Sequence, residues 1–355
     1  MPRFLFILTT SLNLQENVPL APLTTLKVGG PAKYFVRAES EEAVIAAFEF
    51  ANQKDLDVFV LGGGSNILVS DRGFGGLVIQ VALKGISVDL IEPGMPDVTA
   101  RAGEDWDRFV EYCVSRDLGG VECLSGIPGF VGGTPVQNVG AYGQEVSESI
   151  VSVRCFDQRT YRIVELSNDE CRFTYRASIF NAAERDRYVV LAVTYRLTAN
   201  AKPKIAYKDV KEFFSGKDPS LRETREAILH IRRSKSMVID PDDPNRMSAG
   251  SFFKNPVVPN EKYDEIAARH TESVPKFNVD GTSVKIPAAW LIERSGFKKG
   301  YRLGNSGIST RHTLAIINCG GATAPDVVAL KDAIQSGVER TFGILLQPEP
   351  VFVGF

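Results

Sequence analysis

The segment "SGIPGFVGGTPVQNVGAYG", residues 125 to 143, constrains the fold more than any other part of the chain. It holds six glycines and two prolines. The prolines fix the backbone path, and the glycines let other groups approach the backbone closely. So long a segment without regular structure is uncommon unless it binds something. We therefore predict an ordered loop that supports a planar cofactor, with a glycine-rich surface loop as the alternative.

A second glycine turn, "LGGGSN" at residues 61 to 66, follows an apolar strand. Its successive N–H groups can form a nest for an anion such as a diphosphate. Position 67 is isoleucine and a further strand follows, so the turn fits neither the GxGxxG fingerprint nor a P-loop. A tight turn without a ligand is the alternative.

At 355 residues, the chain is long enough for two or three domains with sizeable cores. The net charge of −2 supplies no bulk positive field, so we expect no nucleic-acid partner.

The five cysteines form no CxxC pair and the three histidines show no metal-ligand spacing, so we expect reduced thiols and no metal site. No run of 18 apolar residues exists, and the N-terminal "FLFIL" is too short for a signal peptide. We therefore expect a cytoplasmic protein without membrane contact.

Local patterns predict alternating strands and helices. Residues 32–40, 41–55 and 58–64 are predicted as strand, helix and strand, with Ser40 as the helix N-cap, which implies a βαβ unit. The run 67–81 alternates like a hairpin. Further predictions are a helix over 106–120 that ends at a glycine pair, strands over 152–158, 161–167 and 188–197, helices over 221–235, 286–297 and 324–342, and a closing strand after 344.

Four short motifs carry side chains suited to chemistry. Ser251 in "SAGSFFKNP" has small neighbours and two phenylalanines, and a plain strand end is the alternative. Arg176, next to Tyr175 in "FTYRASIF", offers a planar fork for a carboxylate, although a surface cation fits as well. Tyr207 in "AYKDV" can cover a ligand or simply pack. Glu349 in "QPEP" is a carboxylate held between two prolines, or part of a solvated turn.

Seven motifs occur together in the order typical of one enzyme family, UDP-N-acetylenolpyruvoylglucosamine reductases, and the chain resembles that family from about residue 18 to its end. The presence of "AYKDV" makes it similar to the form with a tyrosine-bearing loop. The motifs are "TTLKVGGPA", "LGGGSN", "SGIPGFVGGTPVQNVGAYG", "YRASIF", "SAGSFFKNP", "IPAAWLIERSG" and "QPEP".

The resemblance implies an α+β fold with a two-part FAD-binding module of the vanillyl-alcohol-oxidase type and a smaller α/β substrate-binding domain. The parts would be 1–83 joined by the C-terminal strand 344–355, then 84–231, and then 232–343 for substrate. It also implies non-covalent FAD, NADPH as co-substrate, and reduction of UDP-N-acetylglucosamine enolpyruvate to UDP-N-acetylmuramate in peptidoglycan precursor synthesis. We expect a monomer or weak dimer.

The resemblance also assigns roles to residues. Ser251 matches the family's proton donor, and Arg176 and Glu349 match its other catalytic pair. The substrate-binding residues would be Tyr175, Tyr207, Lys235, Asn255 and His312. The cofactor contacts would be Gly62, Gly63, Gly64, Ser65, Asn66, Gly126, Ile127, Pro128, Gly129, Gly132, Asn138, Gly140, Ala141 and Tyr142. If the segment after Ser251 is a strand, Asn255 lies on the same face as Ser251.

Two departures and two alternatives accompany this interpretation. Residues 236–250 form a longer segment than the resemblance leads us to expect, and Val351 stands where some members carry a cation. A superfamily oxidase with FAD attached through histidine is one alternative, but no histidine precedes His230. A catalytically silent nucleotide-sugar-binding protein is the other, and the presence of Ser251, Arg176 and Glu349 argues against it.

Overall fold

The computed structural model describes residues 12–355, so the N-terminal "FLFIL", which we expect to be too short for a signal peptide, lies outside the described residues. The chain forms two compact units, and each is built from separated segments. The first unit comprises the residues up to Val18 together with Ala32–Gly64 and Phe74–Val238. The second comprises Pro19–Pro31, Ser65–Gly73 and Ile239–Phe355. The three-part division expected from the sequence stays a prediction.

Runs of strands are interspersed with single helices along the chain, and most strands are short. The helices are α1 Glu41–Gln53, α2 Trp106–Val114, α3 Asn168–Cys171, α4 Lys208–Phe214, α5 Leu221–Ser234, α6 Asn260–Ala268, α7 Ala288–Arg294 and α8 Ala324–Phe342. The strands are β1 Leu14–Pro19, β2 Pro31–Ala38, β3 Val58–Leu61, β4 Ile67–Val69, β5 Phe74–Val81, β6 Ile86–Glu92, β7 Met95–Arg101, β8 Leu118–Gly119, β9 Gly140–Ala141, β10 Gln144–Glu145, β11 Ile150–Asp157, β12 Arg162–Ser167, β13 Tyr188–Arg196, β14 Thr198–Ala199, β15 Ser248–Ser251, β16 Val257–Pro259, β17 Phe277–Asn278, β18 Ser283–Lys285, β19 Arg302–Leu303, β20 Ser306–Ile308, β21 Ala315–Asn318 and β22 Val351–Val353.

The first sheet has the strand order β1-β2-β5-β3, and both β2 and β3 run parallel to β5. Helix α1 connects β2 to β3, which confirms the predicted βαβ unit, with β5 inserted between its strands. The Ser40 hydroxyl accepts a hydrogen bond from Ala43 N and caps α1 as predicted. Val44, Ala47 and Phe48 form its buried face.

The predicted hairpin over 67–81 is wrong. Strand β4 pairs in parallel with β22, whereas β5 pairs in parallel with β2 and β3. All three residues of β4 are buried, as is typical of a strand inside a parallel arrangement rather than of a half-exposed hairpin arm. A turn does lie between β4 and β5, where the hairpin prediction requires one, because Gly73 N donates to Ser70 O over 2.8 Å.

The second sheet of the first unit is antiparallel, with the order β12-β11-β13-β7-β6. Its core holds an aromatic cluster in which Trp106, Phe109 and Tyr195 have ring centroids 5.0–5.8 Å apart. Helix α2 ends at Val114, five residues before Gly119, the first residue of the glycine pair that we predicted as its C-cap. The prediction fails because Leu118–Gly119 form β8, which pairs with β14.

Asp157, the last residue of β11, forms a bidentate ion pair that should make the stability of the fold depend on pH. Arg187 Nε and Nη2 donate to its carboxylate over 3.1 and 2.9 Å, and the Asp157 side chain is 3% exposed. These hydrogen bonds lower the pKa of Asp157 to about 2. A carboxyl group with a lowered pKa stabilises the fold above its unfolded pKa of about 3.9, and this contribution is lost as pH falls toward 2.

We therefore expect Asp157→Asn to lower the free energy of unfolding by about 1–3 kcal/mol at pH 6. The difference from the unsubstituted protein should shrink as pH falls from 4 to 2, which urea unfolding at a series of pH values would measure. Asp186→Asn is the matched control, because the Asp186 side chain is 86% exposed. A pH-independent difference for Asp157→Asn would contradict the proposed linkage.

The second unit contains the antiparallel sheet β15-β21-β20-β19, the sheet β16-β18-β17, and the pair β22-β4. Helix α8 has the predicted bounds because both ends are encoded locally. Thr323 and Asp326 form a capping box at its start, and Gly343 ends it with a left-handed φ of 66°. No helix within residues 12–355 is both long and apolar enough to cross a membrane.

Candidate active site

In the first unit, the two glycine-rich segments predicted to bind the cofactor lie against each other. A Cβ atom on Gly63 would stand 2.7 Å from the Cα of Gly129, so only glycine fits at this contact. A Cβ on Gly62 or Gly133, by contrast, would have nothing within 4 Å. The backbone of Gly62 and Gly133 therefore faces open space next to this contact, and a flat cofactor with its phosphates can approach it.

Backbone hydrogen bonds hold the long glycine loop on the segment 102–106. Trp106 N donates to Gly129 O over 3.0 Å, and Gly132 N donates to Ala102 O over 2.9 Å. Gly132 also packs closely, since a Cβ there would lie 2.7 Å from the Ala102 methyl group. The predicted positions Gly126, Ile127, Pro128, Gly129 and Gly132 thus belong to one continuous, well-supported stretch.

Asn138 fixes the second half of this loop. It has a left-handed φ of 44°, and its Nδ2 donates to Glu145 Oε2 over 2.8 Å and to Thr174 O over 3.1 Å. Its Oδ1 accepts from Ser147 N over 3.2 Å. Both side-chain N–H groups are therefore used inside the protein. Of this side chain, only the remaining capacity of Oδ1 could serve a ligand.

Arg176 is held beside the same loop. It has a left-handed φ of 55°, and its Nη2 donates to Gly140 O in β9 over 2.8 Å. Asn181 Nδ2 donates to the Arg176 carbonyl over 3.2 Å, which fixes the backbone as well. Tyr175 lies next to it, with the guanidinium carbon 5.7 Å from the ring centroid. The structure thus brings Arg176 and Tyr175 to Gly140 and Ala141.

Tyr142 at the end of the long glycine loop forms a second group with Tyr207 and Lys235. Tyr142 and Tyr207 meet edge to face at 5.5 Å between ring centroids, and Lys235 Nζ lies 6.0 Å from the Tyr142 centroid. Asp209 Oδ2 accepts from Lys235 Nζ over 2.5 Å. Burial lowers the pKa of Lys235, but the hydrogen bond with Asp209 and the charges of Tyr142, Asp209 and Tyr207 together outweigh burial, so the pKa of Lys235 is raised. Lys235 is therefore a positioned cation.

In the second unit, backbone pairing brings Ser251 next to Glu349, although they are far apart in sequence. Strand β15 ends at Ser251, after an irregular register at Gly250, whose φ is 74°. Glu349 N then donates to the carbonyl of Phe252 over 2.9 Å. Two of the three predicted catalytic residues thus come from adjacent backbone segments.

The predicted strand alternation from Ser251 to Asn255 is wrong. Phe252 and Phe253 are both buried, at 0% and 2% exposed, so inside and outside positions no longer alternate. The alternation is lost because this segment forms backbone hydrogen bonds with two other segments. Phe252 N donates to Leu314 O, and Lys254 N donates to Gln347 O. Asn255 Oδ1 accepts from Ala288 N over 2.9 Å and thereby supports the start of α7.

The remaining predicted residues of the second unit lie near these segments. Asn66 Nδ2 donates to the Glu349 carbonyl over 3.3 Å, and Ser65 O accepts from Thr25 Oγ1 over 3.3 Å. The His312 carbonyl accepts from Ala315 N over 3.1 Å, and Ala315 is the register partner of Ser251. The predicted site residues therefore fall into two groups, one in each unit.

Sequence reasoning missed the acidic partners Asp209 and Glu145. No local pattern identifies these two acids, because their partners are set by tertiary contacts.

Residues 32–167 match the family model of the FAD binding domain. Together with the glycine contact and the open backbone beside Gly62, this match places the chain among FAD-dependent oxidoreductases. Residues 242–353 match the C-terminal domain of UDP-N-acetylenolpyruvoylglucosamine reductase. Two relatives of this chain carry the name UDP-N-acetylenolpyruvoylglucosamine reductase. The protein from Thermobifida fusca is 46% identical over 98% of this chain and 99% of its own length. The protein from Cutibacterium acnes is 43% identical over 98% of this chain and 92% of its own length. The chain belongs to the UDP-N-acetylenolpyruvoylglucosamine reductase family.

A solved structure supports the fold. The UDP-N-acetylenolpyruvylglucosamine reductase from Thermus caldophilus aligns with a TM-score of 0.68 at 26% identity, over 96% of this chain and 99% of that chain. The predicted fold class, an α+β protein with an FAD-binding module, is thereby confirmed. The expectation that FAD is the cofactor is confirmed as well.

The two neighbouring glycines of the first turn provide a test of where FAD approaches. Gly62→Ala should leave the thermal unfolding temperature of the apoprotein unchanged, because its Cβ meets open space. The same methyl group should weaken FAD binding by roughly 10–100-fold, the equivalent of overpacking by about 1–3 kcal/mol. Gly63→Ala should instead destabilise the apoprotein itself. Calorimetry and FAD titration would separate these effects, and unchanged FAD affinity in Gly62→Ala would contradict the assignment.

Proposed function

We propose that this protein reduces UDP-N-acetylglucosamine enolpyruvate to UDP-N-acetylmuramate, with NADPH as the reductant. The chain is an FAD-dependent oxidoreductase of the family named above, and its identity to relatives over nearly its full length supports the substrate. The reaction provides a peptidoglycan precursor. We place it in the cytoplasm, since both reactants are water-soluble nucleotide derivatives.

The observation that carries the proposal is the pairing that sets Ser251 and Glu349 on adjacent backbone segments. The open backbone beside Gly62 and Gly133 would hold FAD, which would supply the hydride-transfer chemistry between NADPH and the vinyl carbon of the enolpyruvyl ether. Ser251 then gives its hydroxyl proton to the α-carbon, so that one hydride and one proton add across the double bond. A serine hydroxyl is a weak acid, but the α-carbon at that stage is a strong base.

Arg176 is proposed to stabilise the negative charge that spreads into the substrate carboxylate during the reaction. Its guanidinium is held by Gly140 O, so little reorganisation is needed when the charge develops. Glu349 is proposed as a further catalytic residue, on a segment fixed between two prolines. These roles rest on the match of each residue to the family motif and on the chemistry of the side chains.

Lys235 and Tyr207 are proposed to hold the UDP-sugar. The ammonium group of Lys235 suits a diphosphate, and Asp209 keeps that group charged and in place. Tyr207 stands at the start of α4, half-exposed against Tyr142, where it can cover a bound ligand. Asn255 and His312 are proposed contacts from the second unit.

An anaerobic experiment tests the proposal. The purified protein should show a flavin spectrum that NADPH bleaches, and UDP-N-acetylglucosamine enolpyruvate should restore it with formation of UDP-N-acetylmuramate. A colourless protein, or a reduced flavin that the substrate leaves untouched, would overturn the assignment. Release of the flavin on denaturation would separate this protein from oxidases that attach FAD covalently.

A further inference from the structure

Glu122, in the first unit, is a buried carboxylate that joins three separate segments of the chain. Its side chain lies in a residue that is only 2% exposed. Glu122 Oε2 accepts a hydrogen bond from Gly120 N over 2.8 Å. Its Oε1 accepts from Lys204 N over 3.0 Å and from Gln144 Nε2 over 3.3 Å. All three donors are uncharged. A carboxylate out of water is costly unless such donors replace its hydration, so together they hold this side chain in one position.

Lys204 is held at both of its backbone groups. Besides the hydrogen bond from its N–H to Glu122, its carbonyl accepts from Cys123 Sγ over 3.3 Å. Burial raises the pKa of the Cys123 thiol to about 12, so the thiol keeps the proton that it donates. Lys204 lies three residues before Tyr207, which occupies the N-cap position of α4. Glu122 therefore fixes the point at which the chain enters the segment that carries Tyr207.

The other side-chain donor, Gln144, lies in the segment that carries Tyr142. Gln144 pairs with Ala141 in the short hairpin of β9 and β10, and Tyr142 stands in its turn with a left-handed φ of 51°. Gln144 Oε1 also accepts from Cys123 N over 2.9 Å, so both ends of this amide are fixed. Glu122 and Cys123 are thus bonded to both tyrosine-bearing segments.

These two segments touch each other beside their tyrosines. A Cβ on Gly143 would stand 3.1 Å from the Ala206 methyl group and 3.9 Å from Tyr207 N. The rings of Tyr142 and Tyr207 meet edge to face at 5.5 Å. Tyr207 is 36% exposed, so a large part of its ring is not packed against the protein. The position of such a ring depends on its backbone, which the buried carboxylate holds at Lys204.

We propose that Glu122 is a positioning residue, which holds the segment of Tyr207 against Tyr142 and thereby sets the affinity for the UDP-sugar. The inference rests on the proposed function, because it takes the UDP-sugar as the ligand that Tyr207 covers. Fixing the covering segment in advance lowers the entropy cost of binding, and it does so equally for the substrate and the transition state. Glu122 therefore affects binding and leaves the chemical step unchanged.

Calorimetric titration of the oxidised holoenzyme with UDP-N-acetylglucosamine enolpyruvate, without NADPH, tests this inference. Saturating FAD keeps every variant loaded. Glu122→Ala should raise the dissociation constant of the UDP-sugar by about tenfold, as expected for the loss of a hydrogen bond to a charged group. Glu122→Gln should raise it less, because the amide oxygen can still accept from Lys204 N. With saturating UDP-sugar, the turnover number should stay within about twofold for both variants.

Glu148→Gln is the matched control. Glu148 Oε2 also contacts Lys204, since it accepts from Lys204 Nζ over 2.7 Å, but its side chain is 42% exposed. Exposed ion pairs of this kind contribute little. This variant should change neither the dissociation constant nor the turnover number. An equal rise of the dissociation constant in Glu148→Gln and Glu122→Ala would overturn the role of the buried carboxylate.

A double-mutant cycle shows whether Glu122 acts through Tyr207. Tyr207→Ala should weaken binding of the UDP-sugar on its own. Adding Glu122→Ala should weaken it no further, because the ring that Glu122 positions is already gone. Two effects that multiply would overturn the proposal. So would a purely structural role, in which Glu122→Ala lowers the unfolding temperature and leaves the affinity of the folded protein within about twofold.

Hydrogen exchange separates this inference from the proposed function, because it needs no UDP-sugar. In the holoenzyme, Glu122→Ala should speed exchange of the amides of residues 204–208 severalfold and leave those of β11 unchanged. Unchanged exchange at 204–208 would overturn the positioning role even if the UDP-sugar is bound and reduced. A protein with faster exchange in the variant that binds no UDP-sugar would instead overturn the proposed function.

A second pair of variants decides the question if Glu122→Ala does not fold. Lys204→Pro removes the N–H that donates to Glu122, whereas Lys204→Ala removes the same side chain and keeps that N–H. Only Lys204→Pro should weaken binding of the UDP-sugar and speed exchange at 205–208. Equal affinities in these two variants would overturn the proposal.

Discussion

Ser251→Ala should leave the reduction of bound FAD by NADPH intact and slow the reoxidation by the UDP-sugar by about 10²–10⁴-fold, the range for a lost proton donor. The substitution removes the hydroxyl group while keeping a small side chain at the end of β15. The NADPH step needs no proton from this residue. Anaerobic stopped-flow absorbance would measure the two half-reactions separately.

Ser295→Ala provides the control for this experiment. Ser295 is another half-buried serine of the second unit, and its hydroxyl donates to Leu291 O over 2.9 Å at the end of α7. Its loss should cost some stability but change neither half-reaction. If Ser251→Ala slowed both half-reactions equally, Ser251 would be needed for folding or cofactor placement rather than for proton donation.

Arg176→Gln should slow the same second half-reaction by about 10²–10³-fold, as expected when one donor to a developing negative charge is lost. The glutamine amide can still donate to Gly140 O, so the loop should keep its shape while the positive charge disappears. Arg176→Lys keeps the charge but loses the planar fork and should have an intermediate effect. Rates with saturating substrate would show whether the loss lies in the chemical step.

Arg172→Gln is the matched control, because Arg172 shares the left-handed backbone of Arg176, with a φ of 48°, but is exposed. Its rates should equal those of the unsubstituted protein. An Arg176→Gln variant that binds substrate more weakly but turns over at the original rate would assign Arg176 to binding alone.

Elements that are encoded by neighbouring residues could be predicted from the sequence. Helix α8 begins at the capping box of Thr323 and ends at Gly343, and both signals lie within a few residues of the helix. The start of helix α1 is likewise set by a neighbouring residue, the N-cap Ser40. Local hydrogen bonds decide these boundaries, so a single sequence contains enough information to find them.

Elements that depend on distant partners were predicted less well. The run 67–81 has the alternation of a hairpin, yet β4 pairs with β22, nearly three hundred residues later. Beyond Ser251 the backbone pairs with two distant segments, because Phe252 N donates to Leu314 O and Phe252 O accepts from Glu349 N. No local pattern shows which distant strand will take those hydrogen bonds.

In the candidate site, too, some features could be predicted from local sequence and others depend on distant contacts. The motifs located Arg176, Ser251 and the glycine segments, because residue type and order along the chain are themselves the signal. Only the folded structure shows that Asp209 anchors Lys235 and that Gly63 touches Gly129. These features arise where separate segments meet.

The pairing of β4 with β22 has a consequence for biosynthesis. Every segment of the first unit has been made once Val238 is added, so that unit can fold while the chain is still growing. Ile67–Val69 must wait for Val351–Val353, which leaves three adjacent apolar residues without their partner strand during most of translation. Closing so long a loop is slow, and the exposed strand can pair with another chain in the meantime. Within the described residues, the second unit can therefore complete its strand pairing only after the last strand of the chain has been made.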